Sequence, residues 1–274
     1  MAKLFGTDGV RGAANTVLTP DLALLLGKAA GHILTAGVPG GTVVVGRDTR
    51  ESGDMLEAAL AAGLCSSGAN VVSVGVVTTP AIASLSRDER FVAGAVISAS
   101  HNPAAENGIK FLGHDGAKLS EETEARIEAL VDDLRSGPGG TSRLASERIG
   151  RYRVDETLVA SYMAAAKWAF AGRREEIRIV VDGANGAGSH MNPDMLEAMG
   201  FAVTRIHCEP NGRNINENCG STHPDDLCKA VVNLYADIGA AFDGDGDRVI
   251  LCDEKGRVVD GDRMMAICAA NWVN

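Results

Sequence analysis

The chain has 274 residues, a formal charge of −10 at pH 7 and 45% apolar residues. At roughly 150 residues per domain, this length predicts about two domains, and the apolar fraction suffices for two cores. The acidic balance argues against nucleic acid or an anionic membrane as a partner. No apolar run approaches the ~18 residues of a membrane span and the amino end carries no export signal, so a cytoplasmic location is expected. The six cysteines show no C-x-x-C spacing, which argues against a zinc site or a disulfide framework.

The predicted elements alternate between helix and strand from the amino end. Thr19 as N-cap and Pro20 at the first helical position begin a helix with one apolar face. Further on, short apolar runs predict strands, and the stretches between them predict helices. In the first half of the chain the strands are residues 42–46, 71–74, 91–97 and 109–111, and the helices are residues 52–66, a short one after Thr79-Pro80, and 120–135.

A sharply turning loop follows the apolar run 91–97. Pro103 cannot continue a β-ladder, and Asn102 before it is pushed toward extended geometry, so Ser100 and His101 are placed on the turn. Loops that follow strands often carry binding or catalytic residues. The same residue types are also ordinary turn material, so this loop alone does not define a site.

The alternation of strands and helices occurs a second time. The glycine- and serine-rich stretch 136–142 interrupts the pattern and predicts a mobile segment near a domain boundary. Beyond it, the predicted helices are 155–170, 193–199 and 224–235, and the predicted strands are 177–181, 201–206 and 238–242. The pattern predicts an α/β fold of two consecutive domains with mixed, mainly parallel sheets flanked by helices. The predicted domains are residues 1–152 and 153–256, with 257–274 beginning a third.

Three aspartates alternate with glycine directly after the strand predicted at 238–242. They are Asp243, Asp245 and Asp247, and Arg248 closes the loop. The glycines let the backbone curl until the carboxylates face one point. Three such carboxylates repel one another, so a hard divalent cation such as Mg²⁺ is their natural partner. Because Mg²⁺ completes its shell with phosphate or water oxygens, the loop also predicts a phosphoryl group nearby.

Other interpretations of the glycine-containing loops are weaker. The calcium loop of an EF-hand needs glycine at its sixth position, where Arg248 stands, and helices on both sides, where apolar strands are predicted. A solvated acidic turn has no need of strict alternation between two apolar runs. The segment 183–188 does not match the G-x-G-x-x-G order of a dinucleotide site and is predicted to be a tight strand-to-helix turn.

The two loops together resemble those of the phosphohexomutase superfamily. The first is residues 99–103 (Ala-Ser-His-Asn-Pro) and the second is residues 243–248 (Asp-Gly-Asp-Gly-Asp-Arg). Further segments similar to loops of that superfamily are residues 5–12, 46–50 and 182–188. Residues 214–216 and 218–224 are most similar to the bacterial branch that interconverts glucosamine 6-phosphate and glucosamine 1-phosphate. Mutases that act on mannose or glucose phosphates are the alternative.

The resemblance implies phosphoryl transfer through a phosphate carried covalently on Ser100, with a sugar bisphosphate as intermediate and activator. One Mg²⁺ ion would be held by this phosphate and the three aspartates. Lys110 lies on a strand predicted to return toward Ser100, and its amine is the first candidate for proton transfer, with His101 as the second. Arg11 stands in the place of the superfamily's active-site arginine and is a further candidate catalytic residue, whereas the candidate phosphate- or substrate-binding residues are Arg47, Asn102 and Arg248.

Three of these residues have plainer alternatives. Lys110 can be an exposed strand lysine, Arg248 can pair with a neighbouring aspartate, and His101 can orient its loop rather than transfer protons. None of these alternatives is excluded by the sequence.

Part of the pattern expected of this superfamily is missing. Its members carry four domains, the third with a Glu-x-Ser-Gly-His-like sugar loop and the fourth with a Ser-Gly-Thr-Glu-Pro-like phosphate loop. Neither string occurs in the 274 residues. The chain is therefore interpreted as the nucleophile and metal half of a mutase, and a catalytically incompetent metal-binding chain is an alternative. The expected partners are a hexosamine phosphate and, in a homodimer, a second copy of the chain.

Overall fold

The structure is a computed structural model that describes residues 3–136, 148–169 and 177–273. Two compact units are present, one formed by residues Met1–Ala99 and Ala104–Tyr162, the other by Ser100–Pro103 and Met163–Asn274. The short segment Ser100–Pro103 therefore belongs to the second unit. Among the described helices, none combines the length and the apolar character needed to cross a bilayer.

The first unit is built on a mixed sheet. Its strands are β1 (Val10–Ala13), β2 (Thr42–Arg47), β3 (Asn70–Val76), β4 (Ala93–Ile97), β5 (Glu106–Gly113) and β6 (Tyr152–Val154). The helices of this part of the sequence are α1 (Pro20–Leu34), α2 (Gly53–Ser66), α3 (Thr79–Ser86), α4 (Glu121–Ser136) and α5 (Leu158–Ala169). The order of the described strands is β1-β5-β4-β2-β3-β6, with antiparallel pairs from β1 to β4 and parallel pairs from β4 to β6.

Helices cover both faces of this sheet, which explains why its central strands are apolar along their whole length. Val43 and Val45 of β2 lie in a buried cluster with residues of α1, α2 and α4. On the opposite face, Gly94 of β4 packs beneath Ile82 of α3. The predicted N-cap is present, since Thr19 Oγ1 accepts a hydrogen bond of 3.2 Å from the backbone N–H of residue 22.

The second unit carries another mixed sheet. Its strands are β7 (Arg178–Asp182), β8 (Ala202–Ile206), β9 (Ile238–Phe242), β10 (Val249–Asp253) and β11 (Val258–Val259), and its helices are α6 (Met191–Ala198), α7 (Asp225–Asn233) and α8 (Gly261–Val273). In the described residues the strand order is β11-β10-β9-β7-β8. The pairs β9–β7 and β7–β8 are parallel, and the pairs β11–β10 and β10–β9 are antiparallel. Val180 packs against Leu227 and Val231 of α7, whereas Ile179 and Val181 lie in a cluster on the other face.

The predicted fold class is confirmed, because two consecutive α/β units with mixed sheets and flanking helices are present. The short strands β1, β6 and β11 were not predicted, since two to four residues of mixed polarity give no period-two signal. The predicted break at 136–142 begins at Ser136, the last residue of α4, and its other residues lie outside the described part of the chain. Residue 170, the predicted end of the helix 155–170, also lies outside it. The predicted domain boundaries stay predictions.

A buried ion pair fastens the loop that follows β2. Arg50 Nε lies 2.9 Å from Asp48 Oδ2, and both side chains are fully buried. Arg50 Nη1 also donates to the carbonyl of Glu106 at 2.8 Å, and the Ser98 hydroxyl donates to Asp48 Oδ2 at 2.6 Å. Burial raises the pKa of Asp48, and the Arg50 charge opposes that rise. The Arg50 guanidinium therefore stabilises the charged form of the buried Asp48 carboxylate.

Replacing Arg50 with methionine is expected to lower the free energy of unfolding by about 3–5 kcal/mol, because the buried Asp48 carboxylate loses its counter-charge. Chemical denaturation measures the change. Arg90→Met is the matched control, since Arg90 pairs with Asp88 at 2.7 Å on the exposed surface, where ion pairs contribute little. Equal, small losses in both variants would show that the buried pair does not stabilise the loop.

Candidate active site

Ser100 occupies the turn that was predicted after β4. Its backbone has a φ of 53°, and its side chain is buried. The hydroxyl donates a hydrogen bond of 2.6 Å to Oδ2 of Asp243, a residue 143 positions away in the sequence. Residues other than glycine rarely adopt a positive φ, and such conformations concentrate at functional sites. The hydroxyl is therefore held in one orientation by a carboxylate.

The three aspartates of the second loop form a cluster. Asp243, Asp245 and Asp247 each place one carboxylate oxygen within 4.8 Å of the others. Asp243 and Asp245 are buried, whereas Asp247 is exposed. Burial, together with the charges of Asp245 and Asp247, raises the pKa of Asp243 to about 6, and the hydrogen bond from Ser100 opposes this rise. An all-oxygen donor set with mutual repulsion fits a hard divalent cation, so this triad can hold a metal ion.

Two glycines give the acidic loop its shape. A Cβ on Gly244 would lie 2.5 Å from the carbonyl oxygen of Ser100 and 2.8 Å from Nδ2 of Asn216, so no side chain fits there. Gly246 has a φ of 69°, and its N–H donates to the carbonyl of Asp243 at 3.0 Å. The alternation of aspartate with glycine thus serves both the close approach to Ser100 and the turn.

Arg248 contacts both loops. Its backbone N–H donates to Oδ1 of Asp243 at 3.1 Å, and its Nη1 lies 3.3 Å from Nδ1 of His101. A guanidinium only donates, so Nδ1 of His101 is the acceptor in this contact. Arg248 Nε lies 3.7 Å from Asp247, which is the alternative pairing considered from the sequence. With 52% of its side chain exposed, Arg248 remains accessible to a phosphate.

Asn216 holds the loop that carries Ser100, a role that the sequence did not indicate. Its Nδ2 donates to the carbonyl of Ser100 at 2.9 Å and to that of Asn102 at 3.1 Å. Its own φ is 59°, a conformation that asparagine tolerates better than most residues. Asn216 belongs to a segment that contributed only to the family resemblance, and its partners lie more than 100 positions away.

Replacing Asn216 with alanine is expected to loosen residues 100–103, because two carbonyl groups lose their donor. At ~1 kcal/mol for each hydrogen bond, amide exchange in this segment should become roughly tenfold faster or more. Hydrogen exchange followed by mass spectrometry measures it. The control is Asn214→Ala, since Asn214 Nδ2 donates to the carbonyl of Glu209 at 3.0 Å. Equal loosening in both variants would contradict the role of Asn216.

The turn between β7 and α6 supports the acidic loop. It contains the segment 183–188, which was predicted to be a strand-to-helix turn, and Ala184 and Asn185 have φ values of 54° and 48°. The N–H of Ala187 donates to the carbonyl of Gly244 at 2.8 Å. This contact places the turn directly against the aspartate loop.

Three of the predicted site residues lie in the first unit. Arg11 faces Gly108 across the pair of β1 and β5, so Arg11 and Lys110 point to the same face of that sheet. Arg47 Nη2 lies 2.5 Å from Asp54, and Nε lies 3.0 Å from a second carboxylate of α2. A phosphate at Arg47 would have to compete with those carboxylates. The roles of Arg11, Arg47 and Lys110 stay predictions.

The fold and the site together define an α/β protein with a buried serine hydroxyl at a carboxylate triad that can hold a metal ion. A family model described as phosphoglucomutase/phosphomannomutase, alpha/beta/alpha domain I, matches residues 2–137, and the model of domain II matches residues 160–256. The chain belongs to the phosphoglucomutase/phosphomannomutase family. The resemblance predicted from the loops is thereby confirmed.

Curated relatives of this chain include phosphoglucosamine mutases. The one from Carboxydothermus hydrogenoformans is 52% identical over 267 residues, which cover 97% of this chain and 60% of that protein. The one from Pelotomaculum thermopropionicum is 50% identical over 270 residues, which cover 98% of this chain and 60% of that protein. The chain thus spans about three fifths of the length of these relatives.

Solved structures share the fold. A phosphoglucomutase/phosphomannomutase family protein from Burkholderia thailandensis has a TM-score of 0.85 at 28% identity, over 99% of this chain and 59% of that one. The N-acetylphosphoglucosamine mutase of Aspergillus fumigatus, solved in complex with GlcNAc-6P and magnesium, has a TM-score of 0.58 at 18% identity, over 97% of this chain and 54% of that one. The second likeness concerns the fold alone.

Proposed function

We propose that a protein carrying this chain is a phosphoglucosamine mutase, which interconverts glucosamine 6-phosphate and glucosamine 1-phosphate. The observation that carries the proposal is the hydrogen bond of 2.6 Å from the buried Ser100 hydroxyl to Asp243, inside a triad of aspartates. The relatives named phosphoglucosamine mutase, at 50% and 52% identity, support the choice of an amino sugar. The proposal includes a cytoplasmic location, and a hexosamine phosphate and a second copy of the chain are the proposed partners.

The proposed reaction has two phosphoryl transfers. With a phosphate on Ser100, a hydroxyl oxygen of the sugar phosphate attacks the phosphorus, and the bond from phosphorus to the serine oxygen breaks. The sugar leaves this step as a bisphosphate, and the serine oxygen takes up a proton. The second transfer runs in reverse with the other phosphate of the sugar, so Ser100 is phosphorylated again. Phosphate is neither gained nor lost over the cycle.

The residues of the second unit have distinct roles in this proposal. Asp243 orients the serine oxygen through their hydrogen bond, and Asn216 fixes the backbone of the same loop. Asp243, Asp245 and Asp247, with a phosphate oxygen on Ser100, would hold Mg²⁺. When bound, this ion supplies positive charge that stabilises the phosphoryl group during transfer.

Phosphate recognition is proposed for Arg248, Asn102, Arg11 and Arg47. The structure supports this role best for Arg248, because its half-exposed guanidinium lies beside His101 and the aspartate loop. A planar guanidinium matches the oxygens of a phosphate and stays charged at neutral pH. The other three assignments follow from the sequence resemblance.

Proton transfer is proposed for Lys110, with His101 as the second candidate. Replacing Lys110 with alanine should lower kcat by roughly 10²-fold, the lower range for loss of a general acid or base. Steady-state rates across pH measure it. Lys118→Ala is the control, since Lys118 pairs with Glu124 at 3.2 Å in the first unit. If Lys110→Ala kept most of the rate, Lys110 would have no role in proton transfer.

Turnover tests the proposed function. The protein, extended to the full length of its relatives, is given glucosamine 6-phosphate, mannose 1-phosphate or glucose 1-phosphate, each with a trace of the matching sugar bisphosphate. The highest kcat/KM is expected for glucosamine 6-phosphate. A preference for mannose or glucose phosphate would overturn the choice of sugar. Intact mass with and without phosphatase tests the mechanism separately, since it should reveal one phosphate on Ser100.

A further inference from the structure

A second set of metal-ligand side chains lies in the second unit, outside the aspartate triad. Asp182 ends β7, His207 follows β8, and Cys219 lies in the loop before α7. One potential ligand atom of each lies within 4.8 Å of the others. We propose that Asp182, His207 and Cys219 form a site for a zinc-class transition metal ion. This proposal does not depend on the proposed mutase activity.

The donor atoms favour zinc over magnesium. Nitrogen, sulfur and carboxylate oxygen are the ligands that zinc binds, whereas magnesium prefers an all-oxygen set such as the aspartate triad. His207 Nδ1 lies 3.0 Å from Asp182 Oδ2. Two ligand atoms of one zinc ion, each about 2.0–2.2 Å from it, are separated by about 3–3.5 Å, so this pair is already close to the required separation. Sγ of Cys219, the third proposed ligand atom, lies within 4.8 Å of ligand atoms of both other residues.

The surroundings of the three residues resemble those of metal ligands. The backbone N–H groups of Ala184 and Gly220 each donate to a different oxygen of Asp182, both at 2.9 Å. The other ring nitrogen of His207, Nε2, lies 3.9 Å from a carboxylate oxygen of Asp226. Metal-bound histidines usually direct their free N–H to a carboxylate, and metal-bound carboxylates are themselves hydrogen-bonded. The hydrogen-bonded carboxylate is present, whereas the 3.9 Å between His207 Nε2 and Asp226 is longer than a hydrogen bond in the metal-free chain.

The local charge also favours a cation. Asp182 and Cys219 are buried, and the carboxylates of Glu217 and Asp226 add negative charge near Cys219. These carboxylates would stabilise a positive ion at the site. His207 is part of the wall of a cavity of about 800 Å³, so a metal ion can reach the site from solvent.

A metal ion here would connect three segments that surround the acidic loop. The turn after Asp182 contacts Gly244 through Ala187, and the N–H of Ser221, two residues beyond Cys219, donates to the carbonyl of Phe242 at 2.9 Å. The absence of C-x-x-C spacing in the sequence argues only against a zinc site built from one such motif. The proposed ligands come instead from three separate segments, 25 and 12 positions apart. We therefore expect a bound metal ion to make the segments that contact the acidic loop more rigid.

Cobalt titration of the metal-free, reduced chain tests the site, since Co²⁺ replaces Zn²⁺ and a cobalt–thiolate bond absorbs in the near ultraviolet. Excess Mg²⁺ is present to occupy the aspartate triad. One equivalent of Co²⁺ should produce the thiolate band, and Zn²⁺ should displace it. Cys219→Ser should remove the band. His207→Asn, which suits the φ of 47° at this position, should weaken Co²⁺ binding by about tenfold or more.

Cys208→Ser is the matched control. Cys208 is a neighbouring buried thiol that lines the same cavity, and its Sγ contacts the carbonyl of Ile206 at 3.2 Å. The band should survive this change. Absence of a thiolate band in the wild type, or its persistence in Cys219→Ser, would overturn the proposal. Far-UV circular dichroism checks folding of each variant, and if Cys219→Ser does not fold, an unchanged Co²⁺ affinity in His207→Asn would overturn the proposal by itself.

Discussion

Replacing Ser100 with alanine is expected to abolish phosphate incorporation and to lower turnover by roughly 10⁴-fold or more. The hydroxyl is the proposed phosphate carrier, and its hydrogen bond of 2.6 Å to Asp243 is the contact that aims it. Intact mass and initial rates, measured in the full-length protein with a sugar bisphosphate as phosphate donor, check the expectation.

A second variant separates the chemistry of Ser100 from its conformation. Because Ser100 has a φ of 53°, glycine relieves the backbone strain at this position, whereas alanine keeps it. Ser100→Gly and Ser100→Ala should therefore differ in stability but should both lack the phosphate. Phosphate found on another residue in either variant, with turnover retained, would contradict the proposed mechanism.

The fold followed from the sequence because its signals are local. The central strands are apolar since helices cover both of their faces, and the N-cap at Thr19 is encoded in two adjacent residues. Strand β6 escaped prediction because Tyr152–Val154 is short and exposed, and its pairing with β3 involves residues about 80 positions away. Such an edge strand is determined by its partner rather than by its own residues.

Only those parts of the candidate site that have a local sequence pattern could be predicted. The aspartate loop and the turn at Ser100 each have a local pattern, whereas their contact joins residues 143 positions apart. Asn216 and Ala187, which hold the two loops, were missed because an asparagine or alanine in a turn has no distinctive chemistry until its partner is known. The same limit applies to Asp182, His207 and Cys219, whose proximity depends on three separate segments.

Two local conflicts in this structure coincide with the proposed chemistry. Ser100 has an uncommon backbone conformation, and Asp243 has a pKa raised by burial and by two neighbouring carboxylates. At neutral pH, neither feature improves the stability of the metal-free fold. Strained or repelling groups of this kind are typical of functional sites, where they are retained because binding needs them. The acidic loop should therefore be a place where stability and function oppose each other.

Replacing Asp243 with asparagine is accordingly expected to stabilise the metal-free chain at neutral pH while abolishing its response to Mg²⁺. Two of the three carboxylates remain, but the repulsion at the buried position is removed, and one metal ligand is lost. Turnover in the full-length protein should fall by on the order of 10³-fold, because several kcal/mol of charge stabilisation depend on the metal. Thermal unfolding with and without Mg²⁺ measures the first effect, and initial rates measure the second.

The pH dependence gives the sharpest form of this prediction. The pKa of Asp243 is about 6 in the folded chain and near 3.8 when unfolded, so the folded state binds this proton more tightly. Its contribution to stability is full below pH ~4 and is lost as the pH rises through 6, a change on the order of 2–3 kcal/mol. The difference in the free energy of unfolding between wild type and Asp243→Asn should therefore grow over this range without metal and shrink when Mg²⁺ is added.

Asp237→Asn is the control, because Arg178 lowers the pKa of Asp237, whose contribution to stability is lost as the pH falls. A wild-type minus Asp243→Asn difference that stays constant from pH 4 to 7 would contradict the account of the acidic loop.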